Sequence, residues 1–164
     1  MKVHMQDAAL EGAESLWPFL AMAAQEDNVE TARTTPLVAS HLVGWPRAGD
    51  FGVVARHQGH LVGAAWARQF TPEEPAGYYM DERTAELAMG VSAPYRGQGV
   101  GRKLLCGLIE AARKRHVGLC LSVREGNPAI HLYESVGFRK VSGSRSANRA
   151  GGFSWGMVLP TMAN

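Results

Sequence analysis

The sequence is poor in cysteine, with only Cys106 and Cys120 among its 164 residues. They form no CxxC motif and no cysteine–histidine pattern typical of a metal ligand set, and the histidines show no HExxH spacing. Each cysteine lies within an apolar pattern. We therefore predict two buried thiols in a reducing compartment, with neither a disulfide nor a metal centre.

Long apolar runs and long charged runs are also missing. No uncharged apolar stretch approaches the ~20 residues that cross a membrane, and the first residues, MKVHMQDAALEG, lack the apolar segment of a signal peptide. Charged residues make up 20% of the chain and the net charge is +2. We predict a cytoplasmic protein with neither a membrane nor a nucleic-acid partner, folded as a single domain over residues 1–164.

The apolar residues that are present alternate between strand and helix periods. The pattern predicts strands over 1–5, 51–57, 60–69, 84–92, 118–123, 138–142 and 153–159, and helices after Asp7 (broken by Pro18 or starting late), over 30–44 with Pro36 near its start, over 100–115 and from Asn127-Pro128 to Gly137. The turn at Gln58-Gly59 joins the second and third strands into a hairpin. Since the second half repeats strand then helix, it predicts a parallel strand pair in a mixed α/β (α+β) domain.

A glycine-rich stretch, APYRGQGVGRKLL over residues 93–105, joins the strand over 84–92 to the next helix. The first turn of a helix has N–H groups without partners, which bind anions well. Gly97, Gly99 and Gly101 let a phosphate approach them, and Arg96 and Arg102 add positive charge. We therefore predict an anion site, with a plain connecting turn as the alternative. The Walker pattern and the GxGxxG fingerprint are both absent, which disfavours a nucleotide-binding oxidoreductase.

Two segments in the order strand–loop–helix resemble the GNAT superfamily of GCN5-related N-acetyltransferases. RGQGVG matches the family's R/Q-x-x-G-x-G/A signature within AELAMGVSAPYRGQGVGRKLL, and LSVREGNPAIHLYESVGF resembles the family's fifth strand and fourth helix. The resemblance is strong over residues 84–140. It implies the GNAT acyl-CoA N-acyltransferase fold, a mixed twisted sheet of about six or seven strands flanked by about four helices.

The resemblance implies that acetyl-CoA binds where the strands over 84–92 and 118–123 splay apart. Backbone groups of Met89, Gly90 and Val91 would pair with the pantetheine arm. The pyrophosphate would lie on amides of Gly97, Gln98, Gly99, Val100, Gly101 and Arg102, with Arg96 nearby. Asn127 matches an asparagine that often contacts the cofactor arm, although an ordinary helix N-cap is an equal alternative.

Tyr133 matches the family tyrosine near the cofactor sulfur, where a protonated phenol can donate to the leaving thiolate. A core tyrosine is the alternative. Glu86 is the candidate base that takes a proton from the acceptor amine; the alternatives are an exposed glutamate bound to Thr84 or Arg83, a water chain, or the weaker rival Glu125. The Val91 amide is the candidate oxyanion donor.

The predicted function is N-acetylation: transfer of acetyl from acetyl-CoA to a primary amine by direct attack. The acceptor, a small molecule or a protein amine, stays open, as does a homodimer. A non-catalytic acyl-CoA-binding or sensor module on the same fold is the alternative. The aromatic side chains Trp17, Trp45, Trp66, Tyr78 and Tyr79 are candidates to line an acceptor pocket or the core, and the loop over 70–83 is a candidate lid. His41 shows no partner in the sequence.

Overall fold

A mixed β-sheet organises the computed structural model, which describes residues 1–161. Within that range the strands are β1 (His4–Asp7), β2 (Phe51–His57), β3 (His60–Arg68), β4 (Thr84–Val91), β5 (Gly118–Arg124), β6 (Arg139–Lys140), β7 (Ser146–Ala147) and β8 (Phe153–Leu159). The helices are α1 (Ala13–Ala23), α2 (Val29–Thr34), α3 (Pro36–Ala39), α4 (Val100–Lys114) and α5 (Ala129–Ser135). The mixed α/β class is confirmed. β6 lies within the predicted strand over 138–142, and the two-residue β7 is the one strand of the described sheet that the sequence did not predict.

The strand order is β1-β2-β3-β4-β5-β8-β6, with β7 also paired to β8. The β4–β5 pair is parallel, as the sequence predicts, and the other pairs are antiparallel. The parallel ladder joins Thr84 to Gly118, Ala85 to Leu119 and Glu86 to Cys120, and then ends. Beyond Glu86 the two strands diverge, which opens a cleft in the middle of the sheet.

The two faces of the sheet bury different helices. Leu87 packs in the core beneath α4 and α5, whereas Ala88 packs in a second core with α1. Because successive strand residues point to opposite faces, Glu86 and Gly90 share the α1 face with Ala88. The diverging end of β4 therefore presents side chains to both sides of the cleft.

Of the two predictions for this helix, the break at Pro18 is wrong and the late start is confirmed, because α1 begins at Ala13 and runs through Pro18 without a break. Proline inside a helix costs about 3 kcal/mol. Burying Leu16, Phe19 and Leu20 offsets this, since each contributes roughly 1.5–3 kcal/mol. Asp7 caps only the short 3-10 turn Ala8–Leu10, so α1 begins after Gly12 instead.

Two further expectations change. The predicted helix over 30–44 is two short helices, α2 and α3, separated at Thr35, with Pro36 as the first residue of α3. Cys120 is buried, but Cys106 is exposed, because it lies on the solvent face of α4, opposite Leu104 and Leu108. No helix among residues 1–161 has the length and apolarity needed to cross a bilayer.

Candidate active site

A cavity of about 1130 Å³ lies where β4 and β5 diverge. Its walls come from β4, β5, the glycine-rich turn, α5, the end of α1 and the 70–83 loop. The predicted site residues on its walls are Glu86, Met89, Gly90, Val91, Arg96, Gly97, Gly99, Gly101, Arg102, Asn127 and Tyr133. One cavity therefore brings together residues that are far apart in the sequence.

Gln98 and Val100 are the predicted residues that do not line the cavity. Val100 is buried in the core beneath α4, and the Gln98 side chain donates from Nε2 to the Pro94 carbonyl oxygen at 2.9 Å. Their side chains therefore face away from the cleft. The sequence assigned a role only to their backbone amides, which adjoin the lining glycines.

The glycine-rich turn has the geometry of an anion cradle. Gly97 and Gly99 have φ angles of +72° and +84°, a left-handed conformation that favours glycine, and a Cβ at either position would meet nothing within 4 Å. Gly99 is the N-cap of the 15-residue helix α4. Open space therefore lies before the unpaired N–H groups of a long helix, and a diphosphate fits this place.

Gly90 is a glycine because α1 packs directly on β4. A Cβ at Gly90 would lie 2.4 Å from the Phe19 carbonyl oxygen and 3.1 Å from the Met22 Cβ. Backbone cannot shift cheaply at such a contact. The end of α1 is thus fixed against the diverging part of β4 and forms one wall of the cavity.

Glu86 is buried, with 3% of its surface exposed. Its Oε2 accepts from the Gly77 N–H at 3.0 Å, its Oε1 accepts from the Tyr78 N–H at 2.5 Å, and its Oε2 also contacts His41 Nε2. The alternative of an exposed glutamate is wrong, since Thr84 bonds to Asp81 and Arg83 reaches the His116 carbonyl. The carboxylate faces the cavity instead.

Glu125, the rival base, lies on the surface outside the cavity lining. Arg145 donates to both of its carboxylate oxygens, at 2.7 and 3.0 Å, and the Trp155 indole N–H donates at 3.0 Å. The Arg145 hydrogen bonds hold the pKa of Glu125 below its usual range. A carboxylate held in this way on the outer surface is poorly placed to take a proton inside the cleft.

His41 is a cavity residue that the sequence did not reveal. It is buried, its Nδ1 lies 3.2 Å from the Val38 carbonyl oxygen, and its Nε2 contacts Glu86. His41 and Glu86 are 45 positions apart. Only the packing of the α3 segment over β3 and β4 brings them together, so spacing gives no signal of the pair.

Tyr133 is both a core residue and a cavity residue. It is 7% exposed, packs against Phe138 with 5.6 Å between ring centroids, and lines the cavity. Burial raises the pKa of its phenol above the ordinary value. Tyr133 is therefore protonated at neutral pH and able to donate a proton.

Asn127 shows the capping geometry that was its alternative. Its Oδ1 accepts from the Ala129 N–H at 2.9 Å, at the start of α5, while the residue also lines the cavity. Arg124 spans the cleft from β5 and donates to the Ala24 carbonyl oxygen at 3.2 Å. Across the same region, Arg149 forms an ion pair with Glu26.

The aromatic candidates divide between the core and other contacts. Trp17, Trp45 and Trp66 are buried in the α1-side core and do not line the cavity. The 70–83 loop contributes Ala76 and Gly77 to the wall rather than its tyrosine rings. Among the residues that the structure describes, no group of three histidine, cysteine or acidic side chains is placed to hold a metal ion.

Comparison with known proteins adds a family match. Residues 12–138 match the family described as Acetyltransferase (GNAT) family. The N-alpha-acetyltransferase RimI of Mycobacterium tuberculosis (strain ATCC 25618 / H37Rv) is 38% identical over 138 residues, covering 76% of this chain and 82% of that protein.

Solved structures share the whole fold. The ribosomal-protein-S18-alanine N-acetyltransferase from Escherichia coli is 26% identical with a TM-score of 0.65, over 98% of this chain and 97% of that one. A Salmonella typhimurium structure, described as an acetyltransferase with its cofactor acetyl-CoA, is 16% identical with a TM-score of 0.70, over 100% of this chain and 96% of that one. The latter likeness shows the fold alone.

Proposed function

Because the chain belongs to the acetyltransferase (GNAT) family and is an acetyl-CoA-dependent N-acetyltransferase, we propose that its acceptor is the α-amine at a protein N-terminus. The observation that carries this proposal is the 38% identity to an N-alpha-acetyltransferase over 82% of that relative's length. An α-amine also suits the chemistry. Its pKa of about 7.7–8.0 leaves far more of it neutral at pH 7 than a lysine, whose pKa is about 10.4.

The proposed donor site runs along the cleft. The open space before Gly97 and Gly99 supports diphosphate binding at the start of α4, with Arg96 and Arg102 on either side. Arg96 Nε donates to the Val91 carbonyl oxygen at 2.8 Å, and Arg102 Nη2 donates to Ser135 Oγ at 2.7 Å. Both guanidinium groups are thus already oriented beside the turn.

In the proposed chemistry Glu86 acts as the general base and Tyr133 as the general acid. Glu86 takes one proton from the ammonium form of the acceptor, and the freed nitrogen electron pair forms the new C–N bond. The C–S bond then breaks, and Tyr133 gives its phenolic proton to the thiolate. The nitrogen then loses its second proton, which reprotonates Tyr133. The products are one acetylated amine, one thiol and one released proton.

The acceptor class is tested with two synthetic peptides that differ at the N-terminal amine and at one internal position. One has a free N-terminus and no lysine; the other has a blocked N-terminus and one internal lysine. With acetyl-CoA, we expect acetylation of the first peptide only, located by fragmentation mass spectrometry. Acetylation of the lysine alone, or of small amines alone across a panel, would contradict the α-amine proposal while leaving the acetyltransferase activity in place.

A further inference from the structure

We infer that His41 is a positioning residue that acts through Glu86: its Nε2–H donates to the carboxylate and holds it in place. The inference rests on the proposed role of Glu86 as the base. It concerns the one imidazole that contacts this carboxylate within residues 1–161.

The carboxylate is fixed before any acceptor arrives. The two backbone N–H groups of Gly77 and Tyr78 donate to its two oxygens, and neither donor can move without moving the 70–83 loop. His41 Nε2 adds the third contact. Two main-chain amides and one imidazole thus hold Glu86 at the cavity wall.

The two ring nitrogens of His41 face different acceptors. Nδ1 lies 3.2 Å from the Val38 carbonyl oxygen, and Nε2 makes the closer contact, to Glu86 Oε2. An ionised carboxylate only accepts and forms stronger hydrogen bonds than a carbonyl, so the geometry assigns the proton of the neutral ring to Nε2. Nε2–H then donates to Glu86 and keeps the carboxylate oriented at the cavity wall.

The backbone that carries His41 is itself anchored by buried side chains of β3. Trp66 Nε1 donates to the His41 carbonyl oxygen at 2.9 Å. Arg68 Nη1 donates to the carbonyl oxygens of Ser40 at 2.9 Å and Val43 at 2.6 Å. The turn on both sides of His41 is therefore tied to the sheet, which limits rotation of the imidazole away from Glu86.

The other charged groups around the pair already have partners. Arg68, which is opposite Glu86 in the β3–β4 register, pairs with Asp50, and both side chains are 1% exposed. From β5, burial raises the pKa of the Cys120 thiol, so Cys120 is neutral. The more distant ion pairs are Arg47–Glu74 beside Phe70 and Arg149–Glu26 across the cavity, where Arg124 also donates to Ala24.

The first test needs no acceptor. In the free protein with ¹⁵N-labelled histidine, we expect the ring of His41 to carry a proton on Nε2, with its signals identified by their loss in His41→Gln. A ring protonated on Nδ1 alone would overturn the inference, because Nε2 would then have no proton to donate to Glu86. This measurement tests the contact even if no peptide is acetylated.

The second test measures kcat against pH with acetyl-CoA and a peptide with a free N-terminus. Since a hydrogen bond to a charged group contributes about 10–100-fold, we expect His41→Gln to lower kcat by roughly that factor, to change the shape of the profile and to leave the KM for acetyl-CoA unchanged. An equal fall at every pH would reduce His41 to a structural residue. His60→Gln, at the exposed hairpin turn, is the matched control; His41→Asn serves if thermal melting shows that His41→Gln is unfolded.

Discussion

At the scale of single residues, the same cavity gives its two candidate catalytic side chains opposite surroundings. Tyr133 is enclosed by apolar neighbours, so its neutral form is favoured. Glu86 is equally hidden from water but accepts hydrogen bonds from two main-chain amides. Contrasting environments of this kind allow one titratable group to act as acid and another as base at one pH.

Removing the Tyr133 hydroxyl tests the acid directly. We expect Tyr133→Phe to lower kcat by about 10²–10⁴-fold, the range of general acid–base catalysis. The KM for acetyl-CoA should change little, since the ring keeps its packing against Phe138. Steady-state thiol release measures both values, with Tyr79→Phe, outside the cavity lining, as control. Wild-type turnover in Tyr133→Phe would remove the acid assignment.

At the scale of secondary-structure elements, the turn before α4 combines a left-handed backbone conformation with open space that a phosphate can enter. Gly99 and Gly59 have nearly the same φ angles, +84° and +82°, and neither would place a Cβ against another atom. Gly99 lines the cavity, whereas Gly59 lies in the β2–β3 hairpin. Alanine substitutions at these two positions therefore distinguish the effect of backbone strain from the effect of lost ligand contact.

We expect Gly99→Ala and Gly59→Ala to destabilise the protein similarly, by roughly 1–2 kcal/mol, because alanine is strained at positive φ. Only Gly99→Ala should also raise the KM for acetyl-CoA, since its methyl group enters the space before the helix end. Urea denaturation and thiol-release kinetics measure the two effects. Equal donor KM values in both variants would show that diphosphate does not lie at this turn.

Elements with a local signal were predicted closely. The patterns for 84–92 and 100–115 correspond to Thr84–Val91 and Val100–Lys114, because strand alternation, glycine and helical period all lie within a few residues of each other. The region before β2 was predicted less well. Its helices depend on packing against β3 and β4, which overrides the local signal of Pro18, whereas Pro36 takes the first position of α3, where proline is favoured.

The candidate site divides in the same way. The turn residues and Tyr133 lie in contiguous motifs, and the structure places them on one cavity. The surroundings of Glu86 come from three separate segments: the α3 turn with His41, the 70–83 loop and β4 itself. No spacing rule connects those segments, so the partner of the base follows only from the tertiary fold.

At the scale of the whole molecule, the buried phenol of Tyr133 makes the free energy of unfolding depend on pH in the alkaline range. The pKa of Tyr133 is raised by burial in the folded protein, whereas in the unfolded chain it is about 10. Above that pH the folded state binds more protons than the unfolded state. The contribution is complete below pH ~10 and is lost as pH rises beyond it.

We therefore expect the free energy of unfolding to fall between pH 10 and 11. In Tyr133→Phe this free energy should fall less steeply over the same range. Cys120, whose pKa burial also raises, still contributes in that variant. Urea denaturation at several pH values measures the slope, and Tyr79→Phe is the control. A Tyr133→Phe slope equal to that of the wild type would show that the phenol is solvated in the native state.

The three-rung ladder between β4 and β5 divides the sheet into two antiparallel halves that meet along a short seam. Most pairs within the β1–β4 half join strands that are neighbours in sequence, whereas the seam joins Glu86 to Cys120 across the whole of α4. Contacts that close longer loops cost more chain entropy to form. A ligand in the cleft contacts both halves at this seam, where the backbone supplies few contacts. We therefore expect a bound ligand to make the two halves unfold more cooperatively.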